Sequence, residues 1–194
     1  MIEGSGTALT DEREIEHFQC IDLHLPAEVN IRRGDRQAVR ITADENVLPL
    51  IATTVMNGTL RIVSNVQFKP VTAIGIEIEI PTLSGVNVHG SGNVRLDSVT
   101  DNELSLVING SGNITGKGTV KTLHAISNGS GNLLLKHLTA QTGQVATNGS
   151  GNAEINVTST LAASISSSGS ITCHGSPPGT VKSQNAGSGQ LEFC

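Results

Sequence analysis

Apolar and polar residues alternate with period two along most of this chain, and Gly-Ser-Gly interrupts the alternation at regular intervals. The clearest copies are His89-Gly90-Ser91-Gly92-Asn93-Val94, Asn109-Gly110-Ser111-Gly112-Asn113-Ile114, Asn128-Gly129-Ser130-Gly131-Asn132-Leu133 and Asn148-Gly149-Ser150-Gly151-Asn152-Ala153. A degenerate copy, Ser168-Gly169-Ser170-Ile171, precedes Ala186-Gly187-Ser188-Gly189-Gln190-Leu191. The first glycines advance by 20, 19 and 20 residues, and Gly149 to Gly187 spans 38, two further coils. A period near 20 is too short for paired helices and suits a β-solenoid coil.

Apolar residues keep fixed offsets from the turn. Two residues after the second glycine stand Val94, Ile114, Leu133, Ala153, Ile171 and Leu191. Four after it stand Leu96, Gly116, Leu135, Ile155, Cys173 and Phe193. Four before the first glycine stand Val86, Leu106, Ala125 and Val145, and six before it Leu104 and Leu123, continued by Leu161 and Val181. Alternation on both sides of a turn means strand–turn–strand. Stacking converts each offset into an interior column, and no coil buries its apolar face alone. Two glycines around one serine permit positive φ and close approach of backbones. Asn93, Asn113, Asn132 and Asn152 are predicted to stack in register and to hydrogen-bond up the ladder.

Residues 1–80 read differently, as short strands that form a β unit capping the solenoid of residues 81–194. Ile21 to Leu25 alternates, Pro26 breaks the run, and Val29-Asn30-Ile31 alternates again. Arg33-Gly34-Asp35 is a turn before Ala38 to Thr42. One helical turn is expected within Asp44 to Leu50, ending at Pro49. Ile51 to Met56, Asn57-Gly58, then Leu60 to Val63 is a strong hairpin signal. Ile74, Ile76, Ile78 and Ile80 share one strand face opposite Glu77 and Glu79, and Pro81 marks the change into the repeat. The fold class expected is all-β, a parallel β-helix or β-solenoid with coils of about 20 residues.

Composition narrows the function. The formal net charge is −5, with 37% hydrophobic and 2% aromatic residues: three Phe, no Tyr and no Trp. A nucleic-acid interface needs a basic face and usually stacking aromatics, so nucleic acid is not an expected partner. No apolar run approaches the length of a transmembrane helix. Residues 1–80 carry twelve acids and seven bases, whereas residues 81–194 carry five of each.

The succession Gly4-Ser5-Gly6, Arg13-Glu14-Ile15 with Phe18, Val29-Asn30-Ile31 with Gly34-Asp35, and Ala43-Asp44-Glu45-Asn46-Val47 continues with Asn57-Gly58-Thr59-Leu60 and Ile80-Pro81-Thr82-Leu83. Followed by serial Gly-Ser-Gly turns, it resembles the family of putative auto-transporter adhesin heads, the head GIN domain, over nearly the whole chain. The resemblance implies a right-handed β-helix, a bacterial cell-envelope, periplasmic or secreted location, and no established activity or catalytic residues. The sequence departs from the family pattern at Ser168-Gly169-Ser170. Met1-Ile2-Glu3 has neither a charged n-region nor an apolar h-region, as expected of a mature chain whose signal peptide has been removed, or of a cytoplasmic protein.

Candidate chemistry is sparse. Arg33-Gly34-Asp35 spells an integrin-binding tripeptide, but turn chemistry alone explains it. The sequons beginning at Asn57, Asn109, Asn113, Asn128, Asn148 and Asn156 are mostly by-products of the turn. Neither His17, His24, His89, His124, His137 and His174 nor the cysteines have paired zinc spacing, so no metal or other cofactor is assigned; a weak metal site formed across coils stays open. His89 fills the slot that Asn takes in the next three turns and reads as a surface residue. Cys173 falls on an inward column and Cys194 on an outward position, which disfavours a disulfide between them.

Asp97, Asp101, Glu103, Glu154 and Glu192 are scattered for catalytic carboxylates. Gly-Ser-Gly lacks nucleophile-elbow spacing, and its repetition argues for structure. Calcium-binding β-rolls need an Asp in each turn, and Thr139, Thr142 and Thr147 do not form an ice-binding array. The expected function is therefore a non-enzymatic adhesin-like or surface-structural solenoid. Its partners would be a glycan or an envelope or extracellular protein, with self-association open. The alternatives are a carbohydrate-active enzyme on the same scaffold and a purely structural assembly module.

Overall fold

A computed structural model describes residues 1–194, with 63% strand and 2% helix arranged as a β-solenoid of about five turns. The N-terminal strands are β1 (Ile2–Glu3), β2 (Ala8–Arg13), β3 (Cys20–Leu23), β4 (Ala27–Arg33), β5 (Ala38–Asp44), β6 (Ala52–Met56), β7 (Thr59–Val63), β8 (Phe68–Lys69) and β9 (Ile74–Ile80). The repeat region contributes β10 (Gly85–Gly90), β11 (Asn93–Gly110), β12 (Ile114–Ser127), β13 (Leu133–Thr147), β14 (Ala153–Ile165), β15 (Ile171–Cys173), β16 (Thr180–Asn185) and β17 (Leu191–Phe193).

Strands β10 to β17 pair in parallel, each coil on the next, as the repeat demands. Val86, Leu106, Ala125, Val145 and Ala163 stand in one continuous register, and so do Leu104, Leu123, Gly143, Leu161 and Val181. Coil length varies, and the bend within each long strand absorbs the difference. Val94 pairs with Ile114, 20 residues on, but Val99 pairs with Gly118, 19 on, across an irregularity where Ser98 has φ 59°.

The N-terminal strands join the same stack out of sequence order. Strand β3 pairs in parallel with both β10 and β7, and β4 with both β11 and β9. The coil Cys20–Arg33 therefore lies between the Gly85 coil and one formed by β7 and β9, which follow it in the chain. Beyond them the pairing turns antiparallel: β6 on β7, β5 on β9 and β2 on β5. The Asn57-Gly58 hairpin has φ 50° and 72°, the left-handed pair that a type I′ turn requires. The expected helical turn is one 3-10 turn at Leu48–Leu50.

One hydrophobic cluster of 45 buried residues runs through the molecule. Its columns end at the last coil, where Leu191 is half-buried and Val181 and Phe193 are 40% and 41% exposed. Those three positions continue the interior columns by spacing, yet they have a neighbouring coil on one side only. A further inward column, Val88, Ile108, Ser127, Thr147, Ile165 and Asn185, was not predicted from the apolar pattern because half of it is polar. Its polar members bond turn carbonyls: Ser127 Oγ donates to Gly131 at 2.7 Å, Thr147 Oγ1 to Gly169 at 3.3 Å and Asn185 Nδ2 to Gly189 at 2.7 Å.

Candidate functional site

The turn residues singled out by sequence stack into a continuous seam. Asn93 Oδ1 accepts from the backbone and side-chain N–H of Asn113 at 3.0 and 3.1 Å, and Asn113 Oδ1 accepts the same pair from Asn132 at 3.0 Å each. Asn132 Oδ1 then accepts the Asn152 N–H, and Asn152 Oδ1 the Ser170 N–H, both at 2.9 Å. Asn109, Asn128 and Asn148 form a second ladder with amide contacts of 2.8 Å. Of the turn glycines only Gly90 has positive φ, 93°. Close approach explains the rest: a Cβ on Gly110, Gly112, Gly129, Gly131, Gly149, Gly151, Gly187 or Gly189 would overlap a backbone carbonyl oxygen of the preceding turn.

The outer surface carries columns that sequence reading missed. Thr100, Thr119 and Thr139 stand in register, and Thr122, Thr142, Thr160 and Thr180 form another column beyond the adjoining bend. Thr139 and Thr142 thus belong to different columns, and Thr147 points inward. A polar groove of about 610 Å³ follows this corner, lined by Arg33, Thr100, Glu103, Thr119, Lys121 and Gln141 among others. Column membership depends on where each coil bends, which the spacing of the turns alone does not specify.

Arg33-Gly34-Asp35 sits at the end of β4. The Arg33 guanidinium donates to the Thr100 carbonyl, the Gly34 N–H donates to the Ile80 carbonyl at 3.2 Å, and Asp35 is exposed. On the neighbouring face Arg32, Arg36, Arg40 and Arg95 share a groove of about 340 Å³ with Glu77, Glu79 and Asp97. Arg32 holds Glu79 at 2.8 Å.

Titratable groups gather at three further places. Asp22, His24 and His89 converge where β3 meets β10. His174 Nδ1 lies 3.2 Å from Cys194 Sγ at the last coil. Asp44 is buried, which by itself raises a carboxyl pKa, but the Thr72 hydroxyl and the N–H groups of Val71, Thr72 and Gly6 bond the carboxylate and hold it below its ordinary value. All three cysteines are free thiols, and burial pushes Cys20 and Cys173 upward. The convergence on Asp22 had no signal in sequence spacing, because Leu23 to Val88 is a tertiary pairing.

The family described as "Putative auto-transporter adhesin, head GIN domain" matches residues 17–177. No curated protein matches the chain in sequence. Among solved structures, one titled a putative adhesin from Bacteroides fragilis NCTC 9343 superposes with a TM-score of 0.81 at 22% identity, over 100% of both chains. One titled a putative lipid binding protein from Parabacteroides distasonis ATCC 8503 gives 0.62 at 24% identity, over 100% of this chain and 99% of that one. Another titled a putative adhesin, from the same organism, gives 0.56 at 20% identity, over 100% and 99%. At these identities the likeness is one of fold. No helix is long and apolar enough to cross a membrane. With its ordered N-terminal elements, its stacked Gly-Ser-Gly turns and the match over residues 17–177, the chain belongs to this head GIN domain family.

Proposed function

We propose that this protein is a non-enzymatic, adhesin-like binding protein of the cell envelope or extracellular space, which engages a glycan or an extracellular protein along its threonine-lined corner. The observation that carries the reading is the register of Thr100, Thr119 and Thr139 on one side of the corner and Thr122, Thr142, Thr160 and Thr180 on the other. Each hydroxyl both donates and accepts, and the columns repeat it at the strand spacing of about 4.8 Å. A repetitive polar polymer meets such a surface with many weak contacts whose avidity exceeds any one of them. Three Phe with no Tyr or Trp favour hydrogen bonding over ring stacking as the mode of contact. The family description and the adhesin titles of structural neighbours support the same reading.

The test is a glycan and extracellular-matrix array probed with the intact chain, with Thr119→Val/Thr142→Val, and with Asp35→Ala. Selective binding that falls at least tenfold in the threonine variant supports the proposal. Loss confined to Asp35→Ala assigns binding to the Arg33-Gly34-Asp35 turn instead. Cleavage of a retained glycan favours the carbohydrate-active alternative, and silence across the array favours an assembly role.

A further inference from the structure

Asp22, His24 and His89 form a cluster that the threonine corner does not use. Asp22 lies on β3 and His24, two residues on, just past its end, so both project from the same outer face. Val88 stands beside Leu23 in parallel register, which brings the next residue of the chain on each side, His89 and His24, side by side. The two imidazoles stack with centroids 4.3 Å apart and planes 3° from parallel. His24 Nε2 lies 2.9 Å from Asp22 Oδ2, and His89 Nε2 lies 2.9 Å from Asp22 Oδ1. The three ligand atoms all fall within 4.8 Å of one another. Asp22 Oδ1 is buried and has no hydrogen-bond partner, since His89 Nε2 approaches it off the hydrogen-bonding direction. Two ring nitrogens thus crowd one carboxylate, with one of its oxygens left without directional compensation.

We infer that Asp22, His24 and His89 bind a divalent transition-metal ion of the zinc class. Two imidazole nitrogens and a carboxylate suit borderline ions, whereas calcium and magnesium take oxygen ligands. A tetrahedral ion with ligands at about 2.0–2.2 Å holds them about 3.3 Å from one another, so the two 2.9 Å contacts with Asp22 open slightly while the stacked rings turn to aim both Nε2 lone pairs at the ion. The side chains are between 22% and 38% exposed, which leaves room for that adjustment and turns the fourth position toward solvent. Bound there, the ion clamps β3 to β10 and ties the Cys20–Arg33 coil to the first Gly-Ser-Gly coil. The open position accepts water or an oxygen or nitrogen donor from a partner.

The test is calorimetric titration of the tag-free, chelator-treated full chain with zinc chloride, alongside cobalt(II) absorption spectra. His89→Asn is the informative variant. Asn109, Asn128 and Asn148 occupy the equivalent place in the next coils, so an Asn at this position extends an existing ladder and preserves the fold. His24→Gln provides a second variant, and Cys194→Ser removes the thiol beside His174. The expected result is one zinc per chain, affinity reduced at least tenfold by His89→Asn and by His24→Gln but unchanged by Cys194→Ser, and a zinc-dependent rise in Tm lost with the histidine. Absence of zinc binding, binding indifferent to both histidine variants, or binding lost in Cys194→Ser overturns the assignment. None of these readouts depends on the adhesin ligand.

Discussion

Asp44 shows what a single residue contributes to closing the end of the solenoid. Its carboxylate accepts the N–H groups of Gly6 at 3.0 Å, Val71 at 2.8 Å and Thr72 at 3.1 and 3.2 Å, joining the N-terminal segment to the loop before β9. A Cβ on Gly4 would overlap this carboxylate, so the approach is close on that side too. The hydrogen bonds prefer the ionised form, and the folded-state pKa is lowered. The stabilisation is therefore present above the unfolded value of about 3.9 and is lost as pH falls through the lower folded value. Asp44→Asn is expected to destabilise the protein clearly at pH 7, with the gap narrowing as the pH falls below about 3.9. Urea unfolding of both proteins at the two extremes measures this, and an equal gap at both would sink the account.

At the scale of the element, the Gly-Ser-Gly turn is a device for stacking rather than for positive φ. Gly112 carries no left-handed φ, yet a Cβ there would overlap the Gly92 carbonyl oxygen and lie 3.1 Å from Val88 Cγ1. Backbone atoms on one side cannot move away as the end of a flexible side chain can. Gly112→Ala is thus expected to cost about 2 kcal/mol or more, in the range of overpacked cores. Ser111→Ala, at the exposed centre of the same turn, should stay within about 0.5 kcal/mol of the parent. Denaturant midpoints of the pair decide the matter, and similar values would show that the turns can spread apart. The asparagines complement the glycines: with no Cβ to separate the turns, the amides above them come within bonding reach.

At the scale of the whole molecule, stability rests on columns that cross many coils. Leu106 is fully buried, stands between Val86 and Ala125, and points opposite to Val107. Leu106→Asp buries an unpaired charge and should cost about 4 kcal/mol or more, whereas Val107→Asp, one residue along, faces outward and should cost far less. Thermal unfolding followed by circular dichroism compares them. Equal Tm values would refute the inward and outward assignment. The exposed apolar positions of the last coil, Val181 and Phe193, mark where the stack loses its neighbour.

Much of this architecture was written in the sequence by itself, because a repeat has few ways to satisfy its own pattern. Period-two alternation around a Gly-Ser-Gly turn at fixed spacing determines which residues face inward, which turns align and which asparagines meet, from Val94 through Leu191. Register follows directly, since a slip of one residue would turn every column outward. The hairpin at Asn57-Gly58 is equally local. Tertiary structure decided the rest. The insertion of Cys20–Arg33 between two coils that follow one another later in the chain, the closure of residues around Asp44 and the meeting of His24 with His89 all depend on distant segments. So does the division of the threonines between two columns, which follows the bend of each coil. Local alternation encodes the direction a side chain takes; only the packed stack decides which side chains stand beside one another.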